Sequence, residues 1–118
     1  MNYYRNNIRN VKGDTYSNAM ILEGIGQNLE SAYFTIRDTL KDDSEILVEK
    51  SLGNGISLVE YDAENDIRKY IIRVAPDDTK DLQSGTYYYD LEVGLNGDVF
   101  TVMKGTFTIE QDSTRHES

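Results

Sequence analysis

Apolar and polar residues alternate with period two along most of the chain, a pattern of half-buried strands rather than helices. From Ser31 to Thr39, Ala32, Phe34 and Ile36 share one face, and Tyr33, Thr35 and Arg37 share the other. From Thr86 to Leu95, Tyr87, Tyr89, Leu91 and Val93 fall on one side and Thr86, Tyr88, Asp90 and Glu92 on the opposite one. Ile67 to Ala75 offers two candidate inward faces. A charge at Arg73 is out of place beside a buried Ile67/Ile71 face, so Tyr70, Ile72 and Val74 are assigned to the core. Further strands are predicted over residues 8–12, 15–23, 45–52, 56–61 and 98–109, with Phe107 and Ile109 completing the inner face.

Turn signals separate these runs. Gly13-Asp14, Gly24-Ile25-Gly26-Gln27-Asn28 and Lys41-Asp42-Asp43-Ser44 read as loops. Gly53-Asn54-Gly55 suits a hairpin with glycines at positive φ, and Asn96-Gly97 suits a two-residue type I′ turn. Pro76 lacks an amide hydrogen and ends its strand. Asp77 to Leu82 is expected to form one helical turn capped by an Asp or Thr. Gly105 interrupts the last strand, where a bulge is expected.

Strands this short, with turns at intervals of roughly 8–12 residues, point to an all-β fold: an immunoglobulin-like antiparallel β-sandwich of seven or eight strands. A closed barrel is the alternative. Leu82-x-x-Gly85-x-Tyr87 has the spacing of a tyrosine corner, in which the phenol reaches back to an upstream backbone group. The expected organisation is a flexible arm over residues 1–7, one β-sandwich domain over 8–110 and a polar tail over 111–118.

A chain of 118 residues can bury one core. Its net charge of −9, with basic residues scattered, argues against nucleic acid, whose phosphates need clustered Lys and Arg. The absence of Cys leans towards a reducing compartment or towards assembly without cross-links. The first residues lack a signal-peptide pattern and no apolar run approaches a membrane span, so the expected product is made in the cytoplasm without membrane partners.

Catalytic chemistry finds little support. The sole His, His116, lies in the polar tail, which disfavours a His-dependent triad and leaves zinc without ligands. Asp62-x-Glu64-x-Asp66 resembles half of a calcium loop but lacks the mid-loop Gly and closing Glu, so it reads as a polar turn. Asp90 and Glu92 read as a solvated sheet face, although a catalytic carboxylate pair stays conceivable among so many acids. No catalytic residue, cofactor or metal is therefore assigned. There are nine Tyr and no Trp. Outward tyrosines suit interfaces, offering large area at low entropic cost. Tyr33, Tyr88, Asp90 and Glu92 are the candidate partner-binding residues, with Tyr61 a further outward ring.

The order Asp77-Asp78-Thr79-x-x-Leu82-x-x-Gly85-x-Tyr87-x-Tyr89-Asp90-Leu91-Glu92-Val93, followed by Gly97, Thr101, Gly105 and Thr106-Phe107-Thr108-Ile109, resembles a domain of tailed-phage structural proteins. The resemblance is to the N-terminal domain of upper baseplate proteins of phages and prophages of Gram-positive bacteria. Gly13-Asp14-Thr15 matches an early element of the same pattern. The resemblance covers roughly residues 8–112. It implies an immunoglobulin-like, non-enzymatic virion module of tail, baseplate or head, acting through contacts with other virion proteins or with itself. Those proteins continue into further segments beyond this domain, so a stand-alone head, neck or tail accessory role is an equal expectation. A sugar- or small-ligand-binding sandwich using exposed tyrosines is the alternative.

Overall fold

The fold is described from a computed structural model for residues 4–39 and 45–111. The expected turn at 41–44, the tail at 112–118 and His116 lie outside the described residues. Over the described residues the chain is all-β apart from one helical turn. Its strands are β1 (Tyr4–Arg5), β2 (Ile8–Val11), β3 (Tyr16–Glu23), β4 (Ser31–Arg37), β5 (Ile46–Leu52), β6 (Gly55–Asp62), β7 (Ile67–Val74), β8 (Gly85–Leu95) and β9 (Asp98–Glu110). The helical turn α1 (Pro76–Thr79) joins β7 to β8. Nine strands among the described residues replace the seven or eight expected, because Tyr4–Arg5 already pairs with β9. Residues 4–5 and 8–11 lie on β9.

The pairing order is β1-β9-β8-β4-β5-β6-β7-β3, with β2 also on β9. Antiparallel pairing was expected throughout, but β1 and β2 run parallel to β9. The hairpin expected at Gly53-Asn54-Gly55 is also corrected. Gly53 and Gly55 do take positive φ, 82° and 97°. Yet β5 and β6 touch only through Ser51–Gly55 and Leu52–Ile56, in parallel sense. The turn redirects the chain, so β6 leaves β5 and pairs along β7. This seam divides the strands into a β1-β2-β9-β8-β4-β5 half and a β6-β7-β3 half.

Both halves turn their apolar faces to one core. Phe34, Ile36, Leu91, Val93, Phe107 and Ile109 enter from the first half, and Met20, Ile56, Tyr70, Ile72 and Val74 from the second. Tyr16 of β3 bridges them: its ring centroid lies 6.1 Å from Phe34 and 5.6 Å from Phe107. Tyr89 packs 5.2 Å from Phe34, and its hydroxyl donates to the Asn6 carbonyl at 2.6 Å. Burial, aided by the neighbouring Tyr16, pushes the Tyr89 phenol up to about 12, against the opposing bond to Asn6.

Gly105 does not form the expected bulge. It pairs directly with Tyr89, and the register shift instead falls at Leu91/Glu92, opposite the extra residue Val102. Gly105 is required by close approach: a Cβ there would collide with the Asn6 carbonyl oxygen. Asn96 and Gly97 both take positive φ, 56° and 81°, as the type I′ turn demands. The bond expected of a tyrosine corner is present, Tyr87 donating to the Gln83 carbonyl at 2.7 Å. The cap of α1 differs from expectation. Ala75 precedes the turn, and Asp78, inside it, accepts from the Ala75 amide at 2.7 Å while pairing with Lys50 at 2.8 Å.

The start of β7 holds a charge that alternation places inward. Arg68 shares the phase of Tyr70 and is buried, paired with Asp66 and Asn28 and covered by the Tyr61 ring at 4.3 Å. The loop between β3 and β4 is tied to this cluster. Asp66 accepts from the Gly26 amide at 2.8 Å, and the Tyr70 hydroxyl accepts from the Leu29 amide at 2.9 Å.

Candidate functional site

The outward face of β5, β4, β8 and β9 gathers the four nominated residues. Register sets their neighbours: Tyr33 opposite Glu92, Thr35 opposite Asp90 and Arg37 opposite Tyr88. On the other flank, Tyr33 faces Ser51 and Thr35 faces Glu49. Asp90 faces Lys104 of β9. Each of these side chains points outward because its strand neighbours, Phe34 and Ile36 on β4 and Tyr89, Leu91 and Val93 on β8, are buried.

Tyr33, Thr35, Arg37, Glu49, Asp90 and Glu92 line an open hollow of about 300 Å³. Its floor is Thr35, which is buried under the longer side chains around it. A smaller hollow of about 90 Å³ adjoins it, sharing Thr35, Arg37 and Asp90 and adding Tyr88 and Lys104. Tyr33 is the most open ring of this face, at 43% exposure, whereas Tyr88 is half-buried. Three carboxylates and one guanidinium surround the main hollow, so its chemistry is that of an acceptor-rich, mildly acidic surface with one aromatic wall. Asp90 and Glu92 are next-but-one on a single strand and open to water. They do not face each other across a closed cleft.

Alternation alone had already grouped Tyr33 with Thr35 and Arg37, and Tyr88 with Asp90 and Glu92. Glu49 and Lys104 join the site only through cross-strand register, which alternation within one strand does not supply. Tyr61, the third outward tyrosine, is 52% exposed but lies on β6, away from this face and over Arg68. The Asp62-x-Glu64-x-Asp66 segment is used structurally. Asp62 accepts from Asn65 and from the Glu64 and Asn65 amides, and the hydrogen bonds from Asn65 hold its carboxyl below the usual range.

A larger cleft, about 630 Å³, lies elsewhere, between β1 and β3. Arg5 and Asn6 form one wall, Asn18 to Leu22 the other, and Ile72, Leu91, Val102 and Met103 the apolar floor. Nothing in the sequence pattern pointed to it, since it arises where the two ends of the strand order approach without pairing.

Known protein families yield no match to the chain, and a search of curated proteins finds none either. Among solved structures, the chain is similar to part of a family 123 glycoside hydrolase from Clostridium perfringens, with TM-score 0.55 and 11% identity. The match covers 95% of this chain and 24% of that one, so the chain spans about a quarter of the enzyme's length. The likeness concerns the fold alone. Voltage-gated sodium channel β subunits also align, one of them the β4 extracellular domain, at TM-scores of 0.40 and 0.33 and identities of 13% and 11%. Those alignments cover 93% and 95% of this chain and 93% and 96% of the respective partners.

Proposed function

We propose that the chain is a non-enzymatic adaptor domain of a phage or prophage virion, an immunoglobulin-like β-sandwich that binds a neighbouring virion protein through its Tyr33–Tyr88 face. The observation that carries the binding face is the convergence of Tyr33, Tyr88, Asp90 and Glu92 on one sheet surface around adjoining hollows. The two-residue seam between β5 and β6 and the Tyr87–Gln83 bond support the sandwich reading. The motif pattern from Asp77 to Ile109 supports the virion role. An open, solvated hollow with an aromatic wall suits recognition, in which a ring supplies area and the carboxylates supply orientation.

The test is to place a photo-crosslinking residue at position 33 and produce particles from the encoding phage or prophage. Capture of a neighbouring virion protein from position 33, and not from exposed Lys80, is the expected result. Absence of the chain from purified particles sinks the virion reading.

A second reading rests on Tyr33 standing beside Glu49, Asp90 and Glu92, a ring and acceptors that also suit a sugar. Titration with bacterial cell-wall polysaccharide separates the two. Saturable binding lost in Tyr33→Ala would favour the sugar.

A further inference from the structure

Strand edges are chemically reactive in one sense: their free amides and carbonyls recruit another strand unless something prevents it. Most edges of this sheet carry a guard. β1 is only two residues long and includes Arg5, and β2 after it carries Arg9. β6 breaks register between Leu58 and Glu60 and carries Glu60 and Asp62. β5 carries Glu49 and Lys50.

β3 has none of these devices. It pairs with β7 over eight consecutive residues without a register shift, and its other edge is unpaired among the described residues. Its sequence, Tyr16-Ser17-Asn18-Ala19-Met20-Ile21-Leu22-Glu23, contains no Pro, Gly, Lys or Arg, and its one charge is at the end. Ile21 stands 60% exposed on its outward side. The cleft of about 630 Å³ runs along this edge and bares the apolar side chains behind it.

We propose that β3 pairs edge to edge with β3 of a second copy of this chain, antiparallel about a two-fold axis at Met20. This joins two three-stranded halves into one six-stranded sheet. The choice of a second copy rests on charge. With Met20 opposite Met20, Ala19 meets Ile21 of the other copy, Asn18 meets Leu22 and Ser17 meets Glu23. Ser17 is flanked on its other side by Arg73 of β7. All three residues of that row point outward and are exposed. Glu23 and Arg73 make no ion pair among the described residues. In the pair, Glu23 of each copy reaches Arg73 of the other across the small Ser17. The gap is two strand spacings, about 10 Å between backbones, within the span of two long side chains. The two-fold repeats this contact, and places the small Ala19 against the large Ile21 on the same face. This surface is separate from the Tyr33–Tyr88 face, so it stands or falls independently of the virion reading.

Sedimentation equilibrium of the purified chain across a wide concentration range tests it. A reversible dimer is expected, with amides of residues 16–23 gaining protection from deuterium exchange as concentration rises. Glu23→Arg and Arg73→Glu each weaken the dimer on the order of tenfold, since two symmetric contacts turn repulsive. The double exchange restores it. Ile21→Lys, a change at an exposed position that leaves the monomer's circular dichroism intact, abolishes it by guarding the edge. A strict monomer at every concentration overturns the proposal. So does a dimer that survives Ile21→Lys, or a double variant no tighter than the single ones.

Discussion

The two halves of the strand order meet the same core but solve the problem of the outer surface differently. In the β9-β8-β4-β5 half, alternation holds along β4 and β8, and among the described residues only Ile46 and Val99, at the starts of β5 and β9, leave large aliphatic side chains exposed. Apolar rings go inward, while Tyr33, Thr35, Arg37, Glu49, Asp90, Glu92 and Lys104 face out. In the β6-β7-β3 half the rule is broken in both directions. Arg68 goes inward, while Ile21, Leu58, Val59 and Tyr61 stay exposed. The difference teaches that period two decides which side a residue takes, and local partners decide what that side can hold. Arg68 is tolerated inside because Asp66 lies two residues away and Asn28 sits in a loop fastened to the same cluster. The first half is therefore held by apolar volume, and the end of the second by polar ties.

The largest effect that tests this contrast is Phe34→Ala. Phe34 is fully buried and touches Tyr16, Tyr89 and Phe107, so the truncation removes the ring at which both halves meet. A loss of about 3–5 kcal/mol is expected in urea denaturation. A loss under about 1 kcal/mol would mean that the halves do not share one core.

The matching probe of the second half is Asp66→Ala, which strands the Arg68 guanidinium. A loss of about 2–3 kcal/mol is expected. That is less than for a fully buried pair, because the Asp66 side chain keeps 33% of its surface. Arg68→Met should cost less than Asp66→Ala, since it removes the buried charge instead of orphaning it. If Arg68→Met proves the worse of the two, the guanidinium's own packing under Tyr61 outweighs the electrostatic argument.

Much of the first half was legible in the sequence, because β4 and β8 keep to period two along their length. The faces of β4 and β8, the Asn96-Gly97 turn and the Tyr87 bond all follow from spacing. What failed involved contacts distant along the chain. The parallel seating of β1 and β2 on β9 depends on Gly105 admitting the Asn6 carbonyl, ninety-nine residues away in sequence terms (105 − 6), and a lone Gly in a strand reads equally well as a bulge. The parting of β5 from β6 was hidden because Gly53-Asn54-Gly55 supports either a hairpin or a crossing. The charge of Arg73 settled the inward face of β7, yet that same phase carries Arg68 inward, which periodicity cannot rationalise without the register that supplies Asn28. The candidate site was half legible for a related reason: alternation groups residues within a strand, whereas Glu49 and Lys104 arrive from neighbouring ones.

The smallest effects come from deleting one hydroxyl in each half, and they sharpen the contrast most directly. Tyr87→Phe removes a donor from the Gln83 carbonyl, which lies at an exposed corner where water takes its place. Its cost is expected near 0.5–1 kcal/mol, at the low end for a hydrogen bond. Tyr70→Phe removes an acceptor from the Leu29 amide, in a bond that is buried. No water reaches that amide once its partner is gone, so the cost rises to about 1–3 kcal/mol. The ring volume is conserved in both variants, which isolates the polar term. Thermal unfolding of the two proteins side by side checks the order. Equal midpoints would mean that the loop carrying Leu29 swings out to water when released, and that the polar ties of the second half are weaker than its burial implies.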